Sequence, residues 1–201
     1  MKMTMTPTFR RRAAQGFTLI ELLIVVIIIA ILAAIAIPQF ANTSGDAQEA
    51  ALDANLNTMR SGIELYRVQH RNAFPGSTVA AASTAEAAAC TAAGGTSATL
   101  TANSAAAFTA HMTSFSNANG AVCSVSAPAG GFALGPYLRA IPADGITNPP
   151  NADIAMVTAT GTTAAPAPTA ATGGWQYDPR DGRIRVNSNA TGRRGTPLFN
   201  Y

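Results

Sequence analysis

The chain has 201 residues, 13 Lys plus Arg against 10 Asp plus Glu, two His and two Cys, with 11% charged and 48% hydrophobic residues. That length holds one ordinary domain with an appendage and excludes a multidomain enzyme. Lys2, Arg10, Arg11 and Arg12 precede Gly16 whereas every acid follows it, which leaves nine Arg against ten acids from Phe17 onward. The bulk basicity is therefore no argument for nucleic-acid affinity.

Phe17 to Ile37 reads FTLIELLIVVIIIAILAAIAI, 21 residues with one charge. As a helix rising about 1.5 Å per residue it spans roughly the 30 Å of a bilayer core. The Arg10-Arg11-Arg12 cluster lies just before it and no comparable cluster follows soon after, which predicts an N-in, C-out topology. An ordinary secretory signal is the competing reading, with Ala34-Ile35-Ala36 as a small-x-small cleavage site. Glu21 argues against it, because an ionisable side chain in lipid costs roughly 3 kcal/mol unless it is paired or protonated.

Gly16-Phe17-Thr18-Leu19-Ile20-Glu21-Leu22-Leu23, behind a short basic leader and ahead of an apolar run ending in Ile37-Pro38, resembles the class III signal of type IV pilins and of type II secretion pseudopilins. The resemblance covers residues 10 to about 40. It implies that a prepilin peptidase cuts between Gly16 and Phe17, that the new amine of Phe17 is N-methylated, and that the anchor is kept. It further implies an inner-membrane assembly platform, a homo-oligomeric filament, and an assembly role for Glu21. Phe17 and Glu21 are four apart and share a helical face, so the amine can neutralise the carboxylate within one chain or between neighbours. The precursor is expected in the cytoplasmic membrane with its head outside, and the assembled protein on the cell surface.

Pro38 removes a backbone donor and is expected to kink the helix. Beyond it Leu52, Leu56, Met59, Ile63, Tyr66 and His70 recur at spacings of 4, 3, 4, 3 and 4, an apolar stripe that predicts helix to about Arg71. Phe74-Pro75-Gly76 is the stop signal. Ser77 to Gly120 is dominated by Ala, Thr, Ser, Asn and Gly and is expected to build little core, apart from a short helix over Phe108 to Phe115. Cys90 and Cys123 fall in or beside this segment, and an oxidising compartment outside the membrane lets them pair.

Phe132 to Asp144 resembles the segment of major pseudopilins and small pilins where the chain enters the sheet. Trp175-Gln176-Tyr177 and Ile184-Arg185-Val186 alternate apolar with polar around Asp178-Pro179-Arg180-Asp181-Gly182, a hairpin signal, and Ile154 to Thr158 is a further strand candidate. The fold class is therefore α+β: a cleaved leader over 1–16, a spine helix over 17–74 whose 17–37 part is the membrane and assembly segment, and a head over 75–201 with a C-terminal antiparallel sheet of three or four strands on the helix stripe. Such an architecture is the pilin fold.

No catalytic constellation is present: no nucleophile turn, phosphate-binding loop or HExxH surrounds His70 or His111, so no enzyme is expected. Asp178 and Asp181 in a Gly-containing turn are a Ca²⁺ candidate, with simple turn formation as the commoner role of such acids. Arg183 and Arg185 share a strand face and are a candidate contact for DNA or another anion, set against a solvated face balanced by nearby acids. No other cofactor is implied. Three readings follow: a type IV pilus-like subunit serving adhesion, motility or DNA uptake; a type II secretion pseudopilin; and an exported binding domain that never polymerises.

Overall fold

The computed structural model describes residues 16–157 and 165–201. The basic leader and Thr158 lie outside the described residues. The chain divides into two units, Met1–Ser44 and Gly45–Tyr201.

Helix α1 spans Leu19–Gln69 and runs through Pro38. In its second half the expected stripe is realised: Leu52, Leu56, Met59, Ile63, Tyr66 and His70 are all buried. The helix ends at Gln69, two residues before the expected Arg71 and five before the end of the 17–74 spine segment, because Arg71 and Asn72 take left-handed φ values of 54° and 68°. That conformation stops helical pairing and turns the chain, with the Asn72 amide donating to the Arg67 carbonyl at 2.9 Å.

The Ala- and Thr-rich stretch is more structured than its composition predicts. Helix α2, Thr84–Ala92, begins with a capping box in which the Ser83 amide donates to Glu86 Oε2 at 2.7 Å and the Glu86 amide to Ser83 Oγ at 3.3 Å. Strand β1 is Ser97–Ala98, and helix α3 covers Ala105–Thr113, capped by Ser104. Strands β2, Phe115–Ser116, and β3, Val122–Cys123, complete an antiparallel sheet of order β1-β3-β2. Phe108 and Met112 of α3 enter the main core. The segment succeeds because small residues let α2 and α3 approach their neighbours closely, and a few large side chains are then enough.

The second sheet has the order β4-β5-β6, with β4 Ile154–Met156, β5 Trp175–Tyr177 and β6 Ile184–Val186. The hairpin β5–β6 is antiparallel as expected, in register Gln176 to Arg185, closed by the Asp178 amide on the Arg183 carbonyl at 2.9 Å. Strand β4 corrects the expectation of a purely antiparallel sheet, for it pairs parallel to β5. Ahead of β5, Gly174, at φ +72°, lets its backbone pass against that of Asp153.

Trp175, Tyr177, Ile184 and Val186 point onto the α1 stripe and, with Phe108, Met112, Leu138 and Leu198, form the main core. Phe132 to Asp144 adds no strand. Instead the amides of Tyr137 and Leu138 both donate to the Met112 carbonyl, at 2.9 and 2.8 Å, and the Pro142 carbonyl receives Trp175 Nε1 at 2.7 Å, so the segment caps α3 and buttresses the sheet. A second cluster, Cys90, Ala121, Cys123, Ala127 and Phe132, surrounds the disulfide.

Candidate functional site

Gly16 and Phe17 precede the helix in open space: Phe17 is 88% exposed and nothing lies within 4 Å of where a Cβ on Gly16 would stand. The peptide bond between them is thus unobstructed among the described residues. From Leu19 to Phe40 the large side chains Leu, Ile, Val and Phe are each at least half exposed. This stretch of α1 is long and apolar enough to cross a membrane.

Glu21 is not idle on this surface. Its Oε2 accepts from the Thr18 amide at 2.8 Å and the Thr18 hydroxyl at 2.7 Å, while the Glu21 amide donates to Thr18 Oγ1 at 3.3 Å. Thr18 and Glu21 therefore form a capping box at the first turn, and the carboxylate sits at the positive end of the helix dipole. Sequence reasoning named Phe17 as the partner and passed over Thr18, although Thr18-Leu19-Ile20-Glu21 carries the capping-box signature. In the uncleaved chain the Phe17 nitrogen is a peptide nitrogen. A cleavage after Gly16 would turn it into an amine and would leave both Thr18 donors in place, so the expected Phe17 partner is compatible with the observed Thr18 one.

Cys90 and Cys123 are disulfide-bonded with Cα atoms 6.0 Å apart, both fully buried, and the bond ties α2 to β3.

The hairpin charges are largely spent within the hairpin. Asp178, buried, holds Arg180 through Nε at 2.9 Å and a terminal nitrogen at 2.6 Å. Arg180's hydrogen bonds hold this carboxyl below the ordinary aspartate range against the opposing effect of burial. Asp181 pairs with Arg183 at 3.2 Å. Among the described residues no group of three or more His, Cys, Asp or Glu is placed to hold a metal. Arg183 and Arg185 do line the same shallow groove, with Arg60, Phe199 and Tyr201. Arg185, however, donates to Gln176 Oε1 at 2.6 Å and to the carbonyls of Ala165 and Pro166, and stands 5.7 Å over the Phe199 ring. Its guanidinium thus serves the fold.

Residues 11–37 match the family described as the prokaryotic N-terminal methylation motif. The chain is 48% identical over 56 residues to the type IV narrow pilus major component PilA5 of Thermus thermophilus, 28% of this chain and 48% of that protein. It is 54% identical over 50 residues to the type IV major fimbrial protein FimA of Dichelobacter nodosus, 25% of this chain and 32% of that protein. With the type II secretion system core protein G of Pseudomonas aeruginosa it shares 31% over 61 residues, 30% of this chain and 43% of that protein. The chain spans about half or less of the length of these curated relatives. No solved structure matches it. The methylation motif and these relatives support the type IV pilin and pseudopilin family.

Proposed function

We propose that this chain is the precursor of a structural subunit that polymerises through its apolar N-terminal helix into a type IV pilus-like filament. The observation that carries the reading is the exposed apolar stretch Phe17 to Phe40 with Glu21 as its one charge. Burying a large apolar side chain is worth about 1.5 to 3 kcal/mol, so water does not tolerate this surface, and both lipid and neighbouring helices satisfy it. Lipid and neighbour differ at Glu21. In lipid the carboxylate has only partners from its own chain, Thr18 and after cleavage the Phe17 amine, whereas in a filament the Phe17 amine of a neighbour adds a countercharge.

The sequence of events is membrane insertion with the head outside, cleavage between Gly16 and Phe17 by a prepilin peptidase that also methylates Phe17, and extraction by an inner-membrane assembly platform. The surface filament then serves adhesion, motility or DNA uptake. Intact mass and N-terminal sequencing on protein sheared from native cells test this: a chain starting at N-methylated Phe17 is expected, and one starting at Ile37 overturns it. Glu21→Ala is expected to abolish sheared filaments while the membrane-bound pool persists. The likeness to type II secretion core protein G favours a second reading, a pseudopilin, in which the same processed chain is recovered from the envelope rather than the sheared fraction.

A further inference from the structure

The head buries both histidines in one aromatic stack. His111, on α3, is fully buried, and Tyr66, on α1, and His70, just past its end, almost so. The Tyr66 and His70 rings lie 3.7 Å apart and 3° from parallel, His111 stacks with Tyr66 at 5.1 Å, and Tyr137 meets Tyr66 edge-on at 5.5 Å.

The hydrogen bonds fix the proton positions. Nδ1 of His111 lies 2.9 Å from the Gly76 amide nitrogen, which can only donate, so Nδ1 carries no hydrogen; it also stands 3.0 Å from the Tyr66 hydroxyl. Nε2 lies 2.9 Å from the Gly120 carbonyl and is the protonated nitrogen. His70 has the opposite tautomer: Nδ1 donates to the Tyr66 carbonyl at 2.9 Å, and Nε2 accepts from Ser116 Oγ at 3.0 Å. Burial holds His70 below its ordinary value against the favourable carbonyls of Tyr66 and Asn117, and a second proton at Nε2 can be met by rotation of the Ser116 hydroxyl. On His111 it sets an N–H against the Gly76 N–H, and Gly76 sits at φ +73° where even a Cβ would stand 3.2 Å from the α3 backbone at Phe108.

We infer that His111 is an acid-sensitive joint of the head: protonation at Nδ1 breaks the clamp that ties the α1 end and the Gly76 turn to α3 and the turn at Gly120. No carboxylate faces it, and beyond the Gly120 carbonyl only the Tyr66 hydroxyl can accept from the cation. From α1 and the residue just past its end come Tyr66 and His70; the Gly76 turn and the 117–120 turn present backbone; α3 carries no other titratable group; Tyr137 reaches it through Tyr66. Arg71, which lines a cavity of about 190 Å³ with Tyr66, His70 and Gly120, adds positive charge, and Glu86 connects only through the Asn117 amide. Burial, reinforced by His70, pushes His111 down to about 4 despite the favourable Gly120 carbonyl. The folded value lies below the unfolded value near 6.5, so the unfolded or opened state takes up the proton first. Stability is then fully present above about pH 6.5 and is lost as pH falls toward 4.

The test is amide hydrogen exchange of Gly76 by NMR on the full chain in detergent, between pH 7.5 and 4.5, corrected for intrinsic exchange. Wild type is expected to lose protection up to tenfold per pH unit below 6.5, the slope of one coupled proton. His70→Gln should keep that slope and His111→Gln should lose it. An unchanged slope in His111→Gln, or none in wild type, overturns the proposal. Should His111→Gln not fold, the wild-type imidazole nitrogen shifts decide: an Nδ1-protonated His111 at pH 7.5, or one that titrates near 6.5 with the Gly76 amide undisturbed, overturns it equally. The outcome is independent of the filament reading, which concerns the N-terminal helix.

Discussion

Asp144 shows how much of the head hangs on a single side chain. It is almost fully buried, and its carboxylate accepts from the Gly174 amide at 2.8 Å, the Thr147 hydroxyl at 2.9 Å and the amides of Ile146, Thr147 and Asn151 at 3.2 to 3.3 Å. Burial pushes this carboxyl up, and the donors together outweigh it and hold it below its ordinary value. A depressed folded value means stability present above about pH 4 and lost as pH falls below it, a window under that of His111. Asp144→Asn places an amide nitrogen among donors. It is expected to cost about 1 to 3 kcal/mol in denaturant unfolding at pH 7, with the loss shrinking below pH 4. The Gly174 donor was not legible beforehand, because it lies 30 positions away, whereas Ile146, Thr147 and Asn151 stand within seven residues. Thr18 is the contrary case, a partner of Glu21 three residues off whose signature stood in the sequence.

At the scale of elements, legibility followed periodicity and capping. The α1 stripe and the β5–β6 hairpin were readable because each repeats its apolar positions at the period of its own geometry. Helix α2 has no such stripe; its nine residues are mostly Ala and Thr, and its start rests on the Ser83–Glu86 capping box. Ser83→Ala is accordingly expected to destabilise the head by about 1 kcal/mol, seen as a lowered midpoint in thermal melts with an unchanged transition slope. Strand β4 could be placed in the chain, but its direction could not. Parallel pairing depends on where the 157–174 connection returns, and three-residue strands carry no signal for that.

The head as a whole has two cores of unequal strength. The main one joins α1, α3 and the β4-β5-β6 sheet around Trp175; the smaller one depends on the Cys90–Cys123 bond across 33 positions. A bond closing such a loop is worth about 3 to 4 kcal/mol in the chain-entropy model. The double variant Cys90→Ala, Cys123→Ala is expected to lose that much stability by denaturant unfolding, while Trp175 fluorescence in the folded state stays native because the indole lies in the other core. The candidate basic face shows the same division between local and distant causes. Alternation does place Arg183 and Arg185 on one side, and only the fold reveals that Arg185 is spent on Gln176 and on carbonyls 19 and 20 positions away. The sequence by itself determined the N-terminal helix, its one charge, the motif around Gly16 and Phe17 and the stripe that receives the sheet, since each is set by neighbours within a few residues along the chain. The tertiary structure alone decided the tautomers of His70 and His111, the Gly174 donor on Asp144, the parallel β4 and the ordering of the Ala-rich segment. Those depend on which distant backbone groups meet in a water-poor interior, where every donor must find its acceptor.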